Sequence, residues 1–228
     1  MTTIAERFAA VTAELRAAEI AVGRAAGCVR LLAVSKTKPA ADVAAAYRWG
    51  QRHFGENYLQ EALIKQQALS AFAISWHFIG PIQSNKTKPI AQHFAWVHSV
   101  DRLKIADRLS EQRPDYLPPL NVCLQVNISG EASKSGVALA ELPALVEQVA
   151  KLPRLRLRGV MAIPEPQSDY AAQCRPYRSL CSAVQALNLP GLDTLSYGMS
   201  GDLRAAVAEG STLVRIGTAL FGERSSLR

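Results

Sequence analysis

The 228-residue chain has no apolar run approaching the roughly 18 to 20 residues that a bilayer-spanning helix requires, because charge or turn residues break every hydrophobic stretch. No membrane helix and no membrane partner are expected. The opening segment MTTIAERFAAVTAELRAA lacks the basic-then-apolar order of a signal peptide, so the expected location is cytoplasmic. Cysteine is scarce: Cys28, Cys123, Cys174 and Cys181 show no C-x-x-C or Cys/His ligand spacing, and they are read as reduced, mostly buried thiols. H-E-x-x-H is absent, as is any carboxylate cluster, so no metal is expected; G-x-S-x-G and a nucleophilic-cysteine context are missing too. The first strand candidate, LLAVSKTKP, contains no glycine, which argues against a dinucleotide-binding turn. Aromatic residues make up only 7%, and the basic residues are not interleaved with them. Despite a net charge of +7, from 26 Lys plus Arg against 19 Asp plus Glu, no nucleic-acid partner is therefore expected. The densest basic segment, PRLRLRG, alternates Arg154, Arg156 and Arg158 with leucines and reads as the solvated face of a strand.

What is present is a regular alternation. The first 26 residues carry an amphipathic helical stripe of Ile4, Phe8, Val11, Leu15 and Ala18. Eight strand candidates follow, at 29–35, 52–57, 74–80, 95–100, 119–128, 156–163, 192–198 and 211–217, separated by segments of helical period. Parallel strands need crossover connections, and eight such units in a chain of this length point to a (β/α)8 TIM-type barrel with an extra N-terminal helix. No linker, internal repeat or low-complexity run divides it, so one domain over 1–228 is expected.

In such a barrel the chemistry sits where strands end. Lys36 follows Leu31–Ser35 and by alternation shares a face with Leu32 and Val34, which is either the lumen or the helix-packing surface. Apolar neighbours would lower the pKa of its ammonium and favour a neutral amine able to attack an aldehyde; the alternative is a snorkelling lysine at a strand end. Late in the chain, Tyr197-Gly198-Met199-Ser200-Gly201-Asp202 and Gly217-Thr218 follow the seventh and eighth strand candidates. These are the loops that often cradle phosphate in barrels, although Ser200 or Asp202 could equally cap a helix. Arg215, inside an apolar strand, needs a partner: a carboxylate such as Glu56 or Asp202, or a ring nitrogen of a ligand. Asn57, His77 and Asn85 are polar groups able to line the same rim, and the plainer reading of His77 is a core histidine with both ring nitrogens satisfied.

The segments AVSKTKP, FGENYLQE, WHFIGPIQSNK, SKSG (133–136), RGVMAI, YGMSGD and STLVRIGTALFG occur in an order that resembles the pyridoxal phosphate homeostasis protein family, alanine racemase-like barrels, over essentially the whole chain. The resemblance implies pyridoxal 5′-phosphate (PLP) held as an internal aldimine on Lys36, with phosphate near Ser200 and the Gly217-Thr218 turn and Arg215 at the pyridine nitrogen. It also implies a secondary PLP or transfer role for Lys134. The expected function is PLP buffering or delivery to apo-enzymes by a monomer without turnover of its own. A permanently charged arginine disfavours the protonated ring that makes PLP a strong electron sink, and after the last strand only TALFGERSSLR remains to supply a second base. Two alternatives are a PLP-dependent racemase or lyase for small amino acids, and a phosphate-binding barrel that uses Lys36 as an aldolase-type amine.

Overall fold

Thr3 starts the first helix, α1 (Ile4–Ala21), by accepting the Glu6 N–H at 3.2 Å while the Glu6 carboxylate accepts the Thr3 N–H at 2.7 Å. The predicted stripe is its buried face, with Phe8, Val11, Leu15 and Ala18 turned inward. Glu19, also buried, accepts the backbone N–H groups of Gly27 and Val29 at 2.7 and 2.6 Å and so fixes the turn that leads into the barrel.

The computed structural model describes residues 2–130 and 135–223. Its strands are β1 (Arg30–Val34), β2 (His53–Glu56), β3 (Ser75–Phe78), β4 (Trp96–Val100), β5 (Leu120–Asn127), β6 (Val137–Ala138), β7 (Leu155–Ala162), β8 (Thr194–Ser196) and β9 (Leu213–Ile216). All pairings are parallel. The ring runs β1-β2-β3-β4-β5-β7-β8-β9 and closes through β9 on β1, while the two-residue β6 hangs on β5 outside it. The eight-stranded barrel and its N-terminal helix are thus as the alternation predicts; β6 is too short to leave a periodic signal.

Helices α2 (Ala40–Trp49), α3 (Leu59–Ala68), α4 (Thr87–His93), α5 (Leu103–Gln112), α6 (Leu142–Val149), α7 (Tyr170–Ala186), α8 (Leu203–Ala208) and α9 (Thr218–Phe221) follow the strands. The main core lies between strands and helices, where Phe54, Phe78, Val97, Val122 and Val160 meet Val43, Ile90, Ile105, Leu145 and Leu180. Full burial of each such side chain stabilises the fold by roughly 1.5–3 kcal/mol. A separate cluster of Trp96, Cys123 and Met161 lies on the opposite, lumenal face of the strands. Gly159 makes this layer possible. Its φ is +151°, a Cβ there would stand 1.9 Å from the Thr194 carbonyl oxygen, and the β5–β7 register shifts beside it.

Among the described residues no helix is long and apolar enough to cross a membrane, and no group of His, Cys, Asp or Glu is arranged to hold a metal ion.

Candidate functional site

The end of β1 shows how alternation sorts the residues. Ser35 faces the helices, where its hydroxyl donates to Glu56 Oε1 at 2.6 Å. Leu32 faces inward, since a Cβ on Gly55 would come within 3.2 Å of its Cδ2, and Val34 and Lys36 continue that face into a cavity of about 350 Å³ at the C-terminal mouth of the barrel. The half-buried Lys36 amine therefore belongs to the lumen and not to the helix-packing surface. Behind it, the buried Lys65 ammonium donates to the Ser35 carbonyl at 2.7 Å, to Glu56 Oε1 at 2.8 Å and to Glu61 Oε1 at 2.6 Å. Glu61 also accepts the N–H of Thr37, a non-glycine residue held in the left-handed region at φ 62°. Burial pushes the Glu56 carboxyl above its ordinary range, against the opposing pull of Lys65 and Ser35. These contacts clamp the turn that carries Lys36.

Across the mouth, the same cavity is lined by Met199, Ser200 and Gly201 after β8 and by Gly217 and Thr218 after β9. Asp202 shapes the first of these turns. One of its oxygens accepts the Met199 N–H at 2.6 Å and the other accepts the Tyr177 hydroxyl at 2.7 Å. It makes no side-chain cap for α8, the role the sequence allowed it. Gly198, at φ +101°, lets the chain pass where a Cβ would lie 2.6 Å from that of Ala206. The two turns are tied together, because the Arg215 N–H donates to the Gly198 carbonyl at 2.9 Å.

Arg215 lies between them, 5% exposed, with its guanidinium on the cavity wall. Neither carboxylate considered from the sequence is its hydrogen-bond partner. Glu56 falls on the helix-facing side of β2 and is taken by Lys65, while Asp202 is occupied by Met199 and Tyr177. The guanidinium instead donates to the Ser196 carbonyl, to Ser196 Oγ at 3.0 Å and to the Ala162 carbonyl at 3.0 Å. All three are neutral acceptors, so no hydrogen-bonded carboxylate compensates its charge, and burial depresses its pKa.

Lys36, Asn57, Ser200, Arg215, Gly217 and Thr218 thus share one cavity, with Ile79 and Ile163 as apolar walls. Asn57 Oδ1 is buried there without a hydrogen-bond partner. Two residues expected at the rim lie elsewhere. His77 sits one lumenal layer deeper, two residues before Ile79, with both ring nitrogens engaged by His53 and His98. Asn85 is exposed on the 3-10 turn Ser84–Lys86 and does not line the cavity. Lys134 lies outside the described residues. Sequence reasoning missed His98 and Ser196 behind Arg215, and it had no signal for pairing Lys65 with Glu56; a lysine on the inner stripe of a helix is the one cue that was available.

The model of the alanine racemase N-terminal domain family matches residues 7–225. The pyridoxal phosphate homeostasis protein of Pseudomonas aeruginosa is 66% identical over 224 residues, covering 98% of this chain and 97% of that protein. The chain belongs to the pyridoxal phosphate homeostasis protein family. The family member from Escherichia coli strain K12 is 54% identical over 229 residues, with 98% of each chain covered. Among solved structures, PipY of Synechococcus elongatus PCC7942 with PLP bound is 36% identical, has a TM-score of 0.83, and covers 96% of this chain and 100% of its own. An alanine racemase from Corynebacterium glutamicum shares the fold at a TM-score of 0.64 and 18% identity, over 96% of this chain and 62% of its own.

Proposed function

We propose that this chain binds pyridoxal phosphate at the rim cavity and serves PLP homeostasis, holding the cofactor and releasing it to PLP-requiring apo-enzymes rather than turning over a substrate. The observation that carries the reading is that an amine and two hydroxyl-bearing turns face one another across a single small-ligand-sized cavity, with a charged guanidinium between them. The unpartnered Asn57 Oδ1 suits the same reading, since a buried acceptor without a donor is costly unless a ligand supplies one.

When bound, PLP supplies an aldehyde that condenses reversibly with amines and a pyridine ring able to withdraw electrons. Lys36 Nζ is the amine placed to capture that aldehyde, and the Lys65–Glu56–Glu61 cluster fixes the turn on which it stands. The hydroxyls of Ser200 and Thr218, with the backbone around Gly217, hold the phosphate, and Ile79 and Ile163 exclude water from the ring. Arg215 would lie at the ring nitrogen and, being a charged donor, would oppose its protonation. By disfavouring the protonated ring, Arg215 would weaken the electron sink the cofactor supplies, which favours storage over catalysis. We further propose that the chain acts in the cytoplasm as a monomer of one domain over 1–228, with Lys134 as a secondary PLP or transfer lysine.

Absorbance before and after borohydride treatment of the PLP-loaded protein, followed by peptide mapping, tests this directly. Reduced cofactor is expected on Lys36 and should be lost in Lys36→Ala with the fold intact. Covalent PLP retained in that variant, or solvent deuterium appearing at Cα of added amino acids, would refute the reading.

A further inference from the structure

Behind Arg215, a hydrogen-bonded chain crosses the lumen. Ser196 Oγ lies 2.8 Å from His98 Nδ1, His98 Nε2 lies 2.9 Å from His77 Nδ1, and His77 Nε2 lies 3.0 Å from His53 Nδ1. Ser196, His98 and His77 are wholly buried. Three of the four histidines in the sequence are thus in line. The chain joins side chains of five strands, β2, β3, β4, β8 and β9.

The direction of every bond follows from one fixed end. A guanidinium can only donate, so Ser196 Oγ accepts from Arg215 at 3.0 Å. Among the described residues the other hydrogen-bond partner of that hydroxyl is His98 Nδ1, so its hydrogen goes there, since a buried O–H without an acceptor would be costly. His98 Nδ1 is then an acceptor and His98 Nε2 carries the hydrogen. His77 Nδ1 accepts it, and His77 Nε2 donates onward to His53 Nδ1, with Ser75 Oγ at 3.5 Å as a weaker second neighbour. All three imidazoles are set as neutral Nε2–H tautomers. Reversing the chain would turn the Ser196 hydroxyl back onto a group that accepts nothing, so the chain cannot deliver a proton to the guanidinium end.

We propose that Ser196 and His98 are positioning residues for Arg215, and that the one-way chain behind them aims the guanidinium at the pyridine nitrogen of bound PLP without giving the site a proton. This rests on the reading that Arg215 faces that nitrogen. The surroundings agree with it. Among the described residues the charged side chains that act on its histidines are cationic, Arg30 on His53 and His77 and Arg215 on His98, and Trp96 stacks on His77 at 5.3 Å.

The test compares binding of PLP with that of its 1-deaza analogue, in which carbon replaces the ring nitrogen. The wild-type protein should favour PLP by about tenfold or more, the scale of one hydrogen bond to a charged group. Arg215→Gln should abolish the preference. Ser196→Ala and His98→Leu should reduce it at least threefold while leaving affinity for the analogue unchanged, and His98→Asn, whose side-chain oxygen replaces Nδ1 as acceptor, should restore it. A preference that survives Ser196→Ala and His98→Leu but falls in Arg215→Gln overturns the positioning role alone. A preference untouched by Arg215→Gln overturns the placement of the ring nitrogen and the proposal with it. A second measurement does not depend on cofactor or on variants: ¹⁵N spectra of the ligand-free wild-type protein should show His77 and His98 as Nε2–H tautomers. An Nδ1–H tautomer at either one overturns the proposal.

Discussion

Replacing Lys65 by Met removes the one cation that, among the described residues, is seen to bond the carboxylate of Glu56. Glu56 is fully buried and its Oε2 already has no hydrogen-bond partner, so only the Ser35 hydroxyl would remain on its other oxygen. Breaking a buried pair in this way costs about 3–5 kcal/mol, because a charge is left without compensation. With a urea dependence of about 3 kcal/mol per molar for a chain of this size, the unfolding midpoint should fall by roughly 1–1.7 M at pH 8. The effect has a pH signature. Burial raises the Glu56 carboxyl above 4.5, and loss of Lys65 removes the main opposing influence. A group whose folded pKa lies above its unfolded value contributes stability that is fully present below the unfolded pKa and is lost as pH rises through the folded one. The deficit of Lys65→Met relative to wild type should therefore shrink between pH 8 and pH 5, and Glu56→Gln in the same chain should recover much of it. PLP capture should weaken as well, because the Lys36 turn loses its clamp. A deficit below about 1 kcal/mol, or one constant across that pH range, would refute the account of the cluster.

Ser200→Ala and Thr218→Ala should each weaken PLP by roughly 1–3 kcal/mol in equilibrium titration if their hydroxyls bond phosphate oxygens; equal losses for pyridoxal without its phosphate would remove them from that role. His98 should make the protein acid-sensitive in a defined window. Burial, reinforced by Arg215, depresses its pKa from 6.5 to about 3, so its neutral form favours folding above pH 6.5 and that advantage is lost as pH falls toward 3. Between pH 7 and pH 4 the wild type should lose about 3 kcal/mol more than His98→Asn in denaturant titrations; parallel curves would contradict this. His53, lowered by burial to about 4, acts in the same direction over the same range.

The barrel and most of the rim were legible in the order of residues alone. Strand and helix periods differ, eight alternations admit few closed solutions, and strand ends mark the mouth, so Lys36, Ser200 and the Gly217-Thr218 turn could be placed on one rim before any coordinates. The inward direction of Lys36 needed the structure, since alternation gives a face but not which face points to the lumen; contact of Leu32 with the Gly55 position decides it. Depth along the lumen was equally hidden. His77 and Ile79 share a face of one strand run, and only the height of the neighbouring turns puts Ile79 at the cavity and His77 below it. The partners of Arg215 were the largest surprise. Opposite charge along the chain points to Glu56 or Asp202, with a ligand ring nitrogen as the alternative, whereas the protein partners that tertiary packing supplies are backbone carbonyls and the Ser196 hydroxyl. Hydrogen-bond partners 19 and 53 residues apart leave no periodic trace, because they are chosen by which strands closure of the barrel brings side by side.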